Sequence, residues 1–588
     1  MNMPRGQMSP ATPTIKHHLL TSARIWTALI LFRCINALCS RTFFQPDEYF
    51  QSLEPAWQMA FGPQSGAWIT WEWQHQLRSS IHPAMFAALY FVADKLMLVL
   101  GLVPSSRAAV LESLPTIVQA VIAATGDFYT WKLAEKIHGS KSDLLLTVCS
   151  PWQWFVSTRT FSNSVETTLT IAALYFWPWQ MTVNYSRSSP NSSAQESSKS
   201  SIFQAPSSLR HLRISLLLAI TACILRPTNG MIWLCMLTPS LHNIISSTPR
   251  IPFTDNLIFF REGILCGLIV LAVSGLSDRL YFGFWTFPPY QWLTFNITLD
   301  LAVFYGRNDW HYYLSQGIPL LTTTFLPFTL LGMWSVSSGI PFMLLVIVLQ
   351  MIGALSLIVH KEVRFIYPLL PLLHIITGPV IASYFLTSST TTTATQSPTP
   401  SKAPPILRCK PALLALLITN TLLSTYLTQR HQSGVLAATT QIRHLFESHP
   451  ATSSSAPTPF AAFLMPCHST PWRSSLIHPN LHAWALTCEP PISIPIADRD
   501  SYRSENDLFY DDPVAFWEKE IGGEGREWPP RFVVGFEGLE SLMDVVRREI
   551  NEGKGVGKWR EVWRAFNSDW IDDGRRWGDV VIWEVLET

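Results

Sequence analysis

The chain is 588 residues long, 48% hydrophobic and only 14% charged, with a formal net charge of +1. Such a composition excludes an ordinary soluble protein. The net charge says nothing about nucleic acid, and no basic tract with aromatic interleaving appears.

Apolar runs suited to crossing a bilayer as helices lie at 20–38, 83–102, 108–125, 144–176, 212–225, 229–241, 257–274, 320–334, 341–360, 365–385 and 411–427. They predict a polytopic α-helical membrane protein of roughly 10–13 spans, since 144–176 holds either one span or two. The first run carries Arg24 and Arg33 and has no small-residue cleavage site after it, so it reads as a retained anchor. Lys16, His17 and His18 place the N-terminal segment, 1–18, in the cytosol, and the loop 41–80 then falls in the lumen.

That loop opens with TFFQPDEYFQSLEPAW, which sets Asp47 beside Glu48 and Glu54 a turn or two later. Carboxylates at a membrane interface are costly to hold and mark function there. A carboxylate can deprotonate a hydroxyl, and two adjacent ones in an extended loop cannot both face one atom, so one base and one supporting group is the natural division. Capping the following helix is the blander role for Asp47. The loop continues through Trp68, Trp71 and Trp73 to Glu72, His75 and Arg78.

Further along, Arg159, Asn163 and Glu166 interrupt apolar sequence, and Arg226 reads as a polar anchor inside the bundle. Charges between 126 and 161 nearly balance, which leaves the orientation there open. Low-complexity stretches at 186–208 and 388–405 read as disordered loops. Lys199, Arg210 and Arg213 beside the first, and Lys402, Arg408 and Lys410 beside the second, put both in the cytosol. The sequons at Asn184 and Asn191 would then be unused, whereas Asn296 lies in a loop better placed for N-glycosylation.

The stretch YGRNDWHYYLSQGIP, 305–319, offers Trp310, His311 and Gln316 either to a sugar or to an interfacial aromatic belt. His360, Lys361 and Arg364 gather at the mouth of the next apolar run. There they suit a lipid phosphate, or the bland role of anchors that snorkel to the interface. The transmembrane part thus spans 19–428.

From 429 to 588 the charge density rises, and β-like runs appear at 461–466, 481–488, 531–536 and 579–586. With helices expected at 541–549 and 558–566, this is a small α/β domain, lumenal if 411–427 crosses once. Cys467 and Cys488 within it are a candidate disulfide if the domain is lumenal and would stay reduced in the cytosol. No His/Asp/Glu cluster has ligand spacing, so no metal is expected.

The strings QPDEYFQSLEP, RTFSNSVET, YGRNDWHYYLSQGIP and HKEVRF resemble the dolichol-phosphate-dependent mannosyltransferases of the GT-C superfamily, glycosyltransferase family 22. FLMPCHSTPW, LTCEPP and SENDLFYDDPVAFW resemble the tail of the branch that builds GPI anchors, so the likeness runs from about 41 to the end. It departs at Phe50, where tryptophan is usual, at Trp57, where histidine is frequent, and at Asp309, where many relatives have proline.

The resemblance implies a GT-C membrane fold and an inverting α1,2-mannosyltransferase of the endoplasmic reticulum. Its donor would be dolichol-phosphate-mannose, its acceptor a GPI precursor glycolipid that gains a third mannose, and it would need no cofactor. Asp47 would be the catalytic base with Glu48 in support. Lys361 and Arg364, with His360 and Arg159, would hold the donor phosphate. Glu54, Glu72, His75, Trp310, His311 and Gln316 would meet the acceptor or the sugars. An alternative is the same chemistry on another lipid-linked glycan, the fourth GPI mannose or an N-glycan precursor. A secondary transporter is a rival of another class, but it would show internal repeats and acids at mid-helix.

Overall fold

The computed structural model of the protein describes residues 13–139, 143–183, 201–245, 251–298, 304, 306–387, 406–448, 460–492, 494–521, 529–549, 558–571 and 573–586. The 388–405 loop, the sequons at Asn184 and Asn191 and residues 186–200 of the other Ser-rich loop lie outside them.

The apolar runs fold as helices with conventional ends. Pro104 opens Pro104–His138 and a left-handed Gly139 closes it, while Gly283 closes Phe253–Phe282 in the same way. Outward residues are apolar too: Leu257, Ile264, Leu268 and Ile269 of Phe253–Phe282 are all exposed. A helix apolar on every side suits lipid rather than water. Nine helices among the described residues are long and apolar enough to cross a membrane.

The bundle has two distinguishable ends. One holds a large cavity lined by residues from 45–47, 226–228, 292–296, 306–313 and 355–365. At the other end, 136–138, 176–180, 202–211 and 339–341 surround a second cavity. Ile81–Val99 is long enough to cross, yet both its termini lie at the first end. Ser79 and Ser80 bind Asp278 near the close of Phe253–Phe282. At the far terminus Asp94 pairs with Arg107, and Glu112 one turn later pairs with Arg443 of the C-terminal domain. The 83–102 run is therefore an interfacial helix and not a span. Its inner face packs Phe86, Ala87 and Tyr90 on Trp57, while Phe91, Val92, Leu96 and Val99 face outward.

Eight of the nine long helices run from one end of the bundle to the other. So do Gly230–Ile245, Ser162–Phe176, and the pair Asp143–Cys149 and Pro151–Val156 taken together, which makes eleven candidate crossings among the described residues. The 144–176 run is thus two crossings, broken at Pro151 and again at the polar Ser157–Thr160. A buried polar knot ties the first crossing to the site. Arg33 pairs with Asp127 at 2.6 Å, Gln153 donates to Asp127 at 2.8 Å, and Tyr367 donates to Gln153 at 2.7 Å.

At the far end β1 (Leu386–Thr387) pairs antiparallel with β2 (Ile406–Leu407). The C-terminal domain adds β3 (Ala461–Phe463), β4 (Ala483–Ala485), β5 (Phe532–Phe536), β6 (Trp559–Ala565) and β7 (Val580–Val585), arranged β4-β3-β5-β7-β6. β3 runs parallel to β4 and β5, and the pairs β5–β7 and β6–β7 are antiparallel. Helix Gly434–Ser448 covers one face, packing on Phe463, Val534 and Ile582. Gly538–Glu549 covers the other with Val533, Val581 and Trp583, so the central strands are apolar on both sides.

The expected helix at 558–566 is instead the edge strand β6. Trp559, Val562, Trp563 and Phe566 recur at helical spacing. A register irregularity between Glu561 and Trp563 produces that spacing within a strand, because the extra residue shifts the alternation by one.

Candidate active site

The chain leaving the first crossing is held against the end of Lys410–Gln429. Arg41 N–H donates to Thr428 O at 2.8 Å, Thr42 Oγ1 to Leu427 O at 2.6 Å, and Phe43 N–H to Gln432 O at 3.0 Å. With the backbone fixed, the two adjacent acids part company. Glu48 turns into the protein and meets Arg159 at 3.1 Å, and Thr160 Oγ1 donates to its carbonyl at 2.9 Å. Burial raises the Glu48 carboxyl above the usual glutamate range, and Arg159 opposes that rise. Asp47 faces the opposite way, into the cavity, where its carboxylate contacts the Arg364 guanidinium.

Arg159 was expected at the donor phosphate, but its guanidinium is enclosed. It donates to Phe155 O at 2.8 Å and to Thr42 O at 2.7 Å besides holding Glu48, and it does not line the cavity. Glu48 and Arg159 therefore form a buried scaffold beneath Asp47, with no route to a substrate from this geometry.

Residue Glu362 is extended, at φ −138° and ψ 148°, so His360, Glu362 and Arg364 fall on one side of the chain. His360 Nε2 lies 3.0 Å from Glu362 Oε1. Arg364 grips the same carboxylate with Nε at 2.6 Å and Nη2 at 2.7 Å. Burial alone would raise the Glu362 carboxyl, but Arg364 and the His360 hydrogen bond outweigh it and hold it well below the usual range. Lys361 points away from this row, its ammonium donating to Asn308 O at 3.0 Å. It borders the cavity with that donor engaged.

The cavity measures about 560 Å³, between the membrane bundle, the 41–80 loop and the C-terminal domain. Its lining carries four full cations, Arg78, Arg226, Lys361 and Arg364, against three carboxylates, Asp47, Glu72 and Glu362. Trp71, Trp292, Phe295 and Phe365 supply aromatic walls of the kind sugars stack against. Glu72 accepts from Gln51 at 3.2 Å and pairs with Arg78 at 3.3 Å.

Several expected sugar contacts lie elsewhere. Trp310 is 70% exposed, and His311 and Gln316 also point outward, because the turn Tyr313–Gly317 buries Tyr313 and Gly317 and presents its other face to the outside. Gly306, Asn308 and Tyr313 line the cavity in their place. His75 stands behind the wall, 5.5 Å from the Phe295 ring. Glu54 is fully buried and joins two domains: it accepts from Trp68 N–H at 2.9 Å and Ser474 N–H at 2.8 Å. Asn296 lies in the cavity wall with Nδ2 donating to Trp292 O at 2.8 Å, so a glycan there would occupy the cavity itself.

Among the charged and imidazole side chains of the lining, Glu362, Arg226 and His468 were not assigned to the site from sequence. Cys467 and Cys488 form a disulfide, with Cα atoms 5.9 Å apart, and His468 follows directly in a left-handed conformation, φ 56°. Its ring packs 4.3 Å from Phe50 and 4.9 Å from Trp68. Burial pushes the imidazole down to about 4, against the nearby Asp47, so it is neutral at physiological pH. Among the described residues, Cys467, His468 and Cys488 are the one group with metal-ligand spacing. The two sulfurs are bonded to each other, and thiolates are what a metal requires.

Residues 24–478 match the model of the Alg9-like mannosyltransferase family, a stretch that includes every cavity residue from Asp47 to His468. The chain belongs to the Alg9-like mannosyltransferase family. It is 45% identical to GPI mannosyltransferase 3 of Gibberella zeae over 95% of this chain and 94% of that protein. Identity to GPI mannosyltransferase 3 of Aspergillus fumigatus is 43%, over 99% and 79% of the two chains. Mannosyltransferase APTG1 of Arabidopsis thaliana is 30% identical over 96% and 92%. Among solved structures, ArnT from Cupriavidus metallidurans bound to undecaprenyl phosphate aligns with TM-score 0.48 and 10% identity, over 97% of this chain and 98% of that one. As a member of the Alg9-like mannosyltransferase family, this chain is a membrane glycosyltransferase, and its cavity is the candidate active site.

Proposed function

We propose that the enzyme takes mannose from dolichol-phosphate-mannose and adds it, as the third mannose in α1,2 linkage, to a GPI precursor glycolipid. The relatives named GPI mannosyltransferase 3 support that acceptor. Lys136, Arg210, Arg213, Arg408 and Lys410 lie at the end of the bundle away from the cavity, which supports a cytosolic location for that end and a lumenal active site in the endoplasmic reticulum.

The observation that carries the mechanism is the contact between Asp47 and Arg364 inside the cavity. Arg364 bridges Asp47 and Glu362. A donor phosphate competes for the guanidinium, which offers a planar fork suited to phosphate. Asp47 is then released to act as a base. It takes the proton from the 2-hydroxyl of the acceptor mannose while that oxygen bonds to C1 of the donor mannose. The C1–O bond to phosphate breaks, and dolichyl phosphate leaves with the electron pair opposite Arg364. Attack on the face away from a β-linked phosphate gives the α-linkage by inversion. The reaction needs no cofactor, because activation rests on a base and on cations at the leaving group.

Microsomes supplied with dolichol-phosphate-mannose and a two-mannose GPI lipid test this reading. The expected product is a three-mannose lipid whose new sugar is released by an α1,2-mannosidase. Transfer only to a three-mannose GPI lipid or to an N-glycan precursor would move the enzyme to another acceptor.

A further inference from the structure

The cations facing the cavity differ in how far they are already engaged. Arg364 is held by Glu362 and Asp47, Lys361 by Asn308, and Arg78 by Glu72. Arg226 is 7% exposed, and its backbone bonds Ala222 and Asn229, yet its guanidinium makes no hydrogen bond or ion pair among the described residues. Its backbone position is fixed. Pro227 disfavours helical backbone at the residue before it, and Arg226 is extended at φ −141° and ψ 101° where Pro206–Leu225 ends. Asn229 fixes the following turn by donating to Glu166 at 2.9 Å and to Thr170 at 2.8 Å.

The Arg226 guanidinium lies 5.3 Å from the Phe365 ring, and that of Arg364 lies 5.7 Å from the same ring. Two guanidiniums thus flank one aromatic side chain; Arg78 and Arg364 bring positive charge within electrostatic reach of Arg226, and Glu166 and Asp47 bring negative charge there. Neither carboxylate accepts a hydrogen bond from the Arg226 guanidinium among the described residues, and a phosphate between Arg226 and Arg364 would supply that acceptor.

We propose that Arg226 is a binding residue for the phosphate of the lipid donor, holding it together with Arg364. The inference rests on the donor reading above and adds to it a buried guanidinium that has no hydrogen-bond acceptor among the described residues.

Donor KM, acceptor KM and product inhibition by dolichyl phosphate, measured on the purified full-length enzyme in detergent, test it through Arg226→Gln and Arg226→Lys. Arg226→Gln should raise the donor KM and the dolichyl phosphate Ki together by about 10–100-fold, the usual worth of a hydrogen bond to a charged group. Arg226→Lys should recover part of both, because it keeps the charge and loses the fork. The acceptor KM should stay where it is. Unchanged donor constants would overturn the proposal, as would a rise confined to the acceptor KM, which would assign the guanidinium to an anion on the acceptor. Failure of both variants to fold would make Arg226 structural and overturn it equally. Failure of the wild-type enzyme to use dolichol-phosphate-mannose would instead refute the donor reading itself.

Discussion

Asp47 and Glu48 stand side by side in the chain and in opposite surroundings, and substitutions should separate them. Glu48→Gln leaves Arg159 buried without its counter-ion, which should cost on the order of 3 kcal/mol in stability. Turnover per folded molecule should stay near wild type, as read by activity normalised to a thermal unfolding signal. His468 supplies a pH test. Its folded pKa of about 4 lies below the ~6.5 of a free imidazole, so the unfolded chain binds the proton first as pH falls. Stability from the neutral ring is complete above about 6.5 and is lost as pH falls towards 4. Between about pH 7 and pH 4, His468→Gln should therefore lose less Tm than wild type. Asp47 and Arg364 were legible as candidates because their strings concentrate charge at the ends of apolar runs. Glu362 could have been found from the same string, since alternate residues of an extended segment share a side. Arg226 and His468 could not, because one lies within apolar sequence and the other far along the chain, and only tertiary packing turns them into the cavity.

At the level of elements, the 467–488 loop presents His468 to the catalytic cavity, and its disulfide is the device that holds it there. Replacing both cysteines by serine should destabilise the domain by about 3 kcal/mol, as expected for a closed loop of this size. The acceptor KM should rise while the donor KM holds, because the cations proposed to hold the donor come from the bundle. Equal stability and kinetics in the double variant would refute that role. The strands at β3, β4, β5 and β7 were legible from short apolar runs between turn residues. β6 was not, because its irregularity reproduces helical spacing. Composition also misassigned 83–102 as a span, since the apolar face that packs on a neighbouring helix and the one that meets lipid are alike in sequence.

At the largest scale, the eleven crossings among the described residues, with an interfacial Ile81–Val99, place the cavity, the 41–80 loop and the C-terminal domain on one side of the membrane. Cysteines introduced at Leu102 and Asp511 should therefore react with an impermeant maleimide from the same side, and one at Lys410 from the other. Were Ile81–Val99 a crossing, the Leu102 position would label with Lys410. The number of apolar runs came close to this architecture, but its parity depended on contacts such as Ser80–Asp278 and Glu112–Arg443, which join residues far apart in the chain. The account as a whole turns on a single carboxylate facing the cavity cations. Its most direct test is mannose transfer from dolichol-phosphate-mannose by purified Asp47→Asn enzyme, with thermal unfolding measured on the same preparation. A fall in turnover of about 10²–10⁴-fold at unchanged Tm is the predicted result, and near-normal turnover by a well-folded Asp47→Asn variant would contradict it.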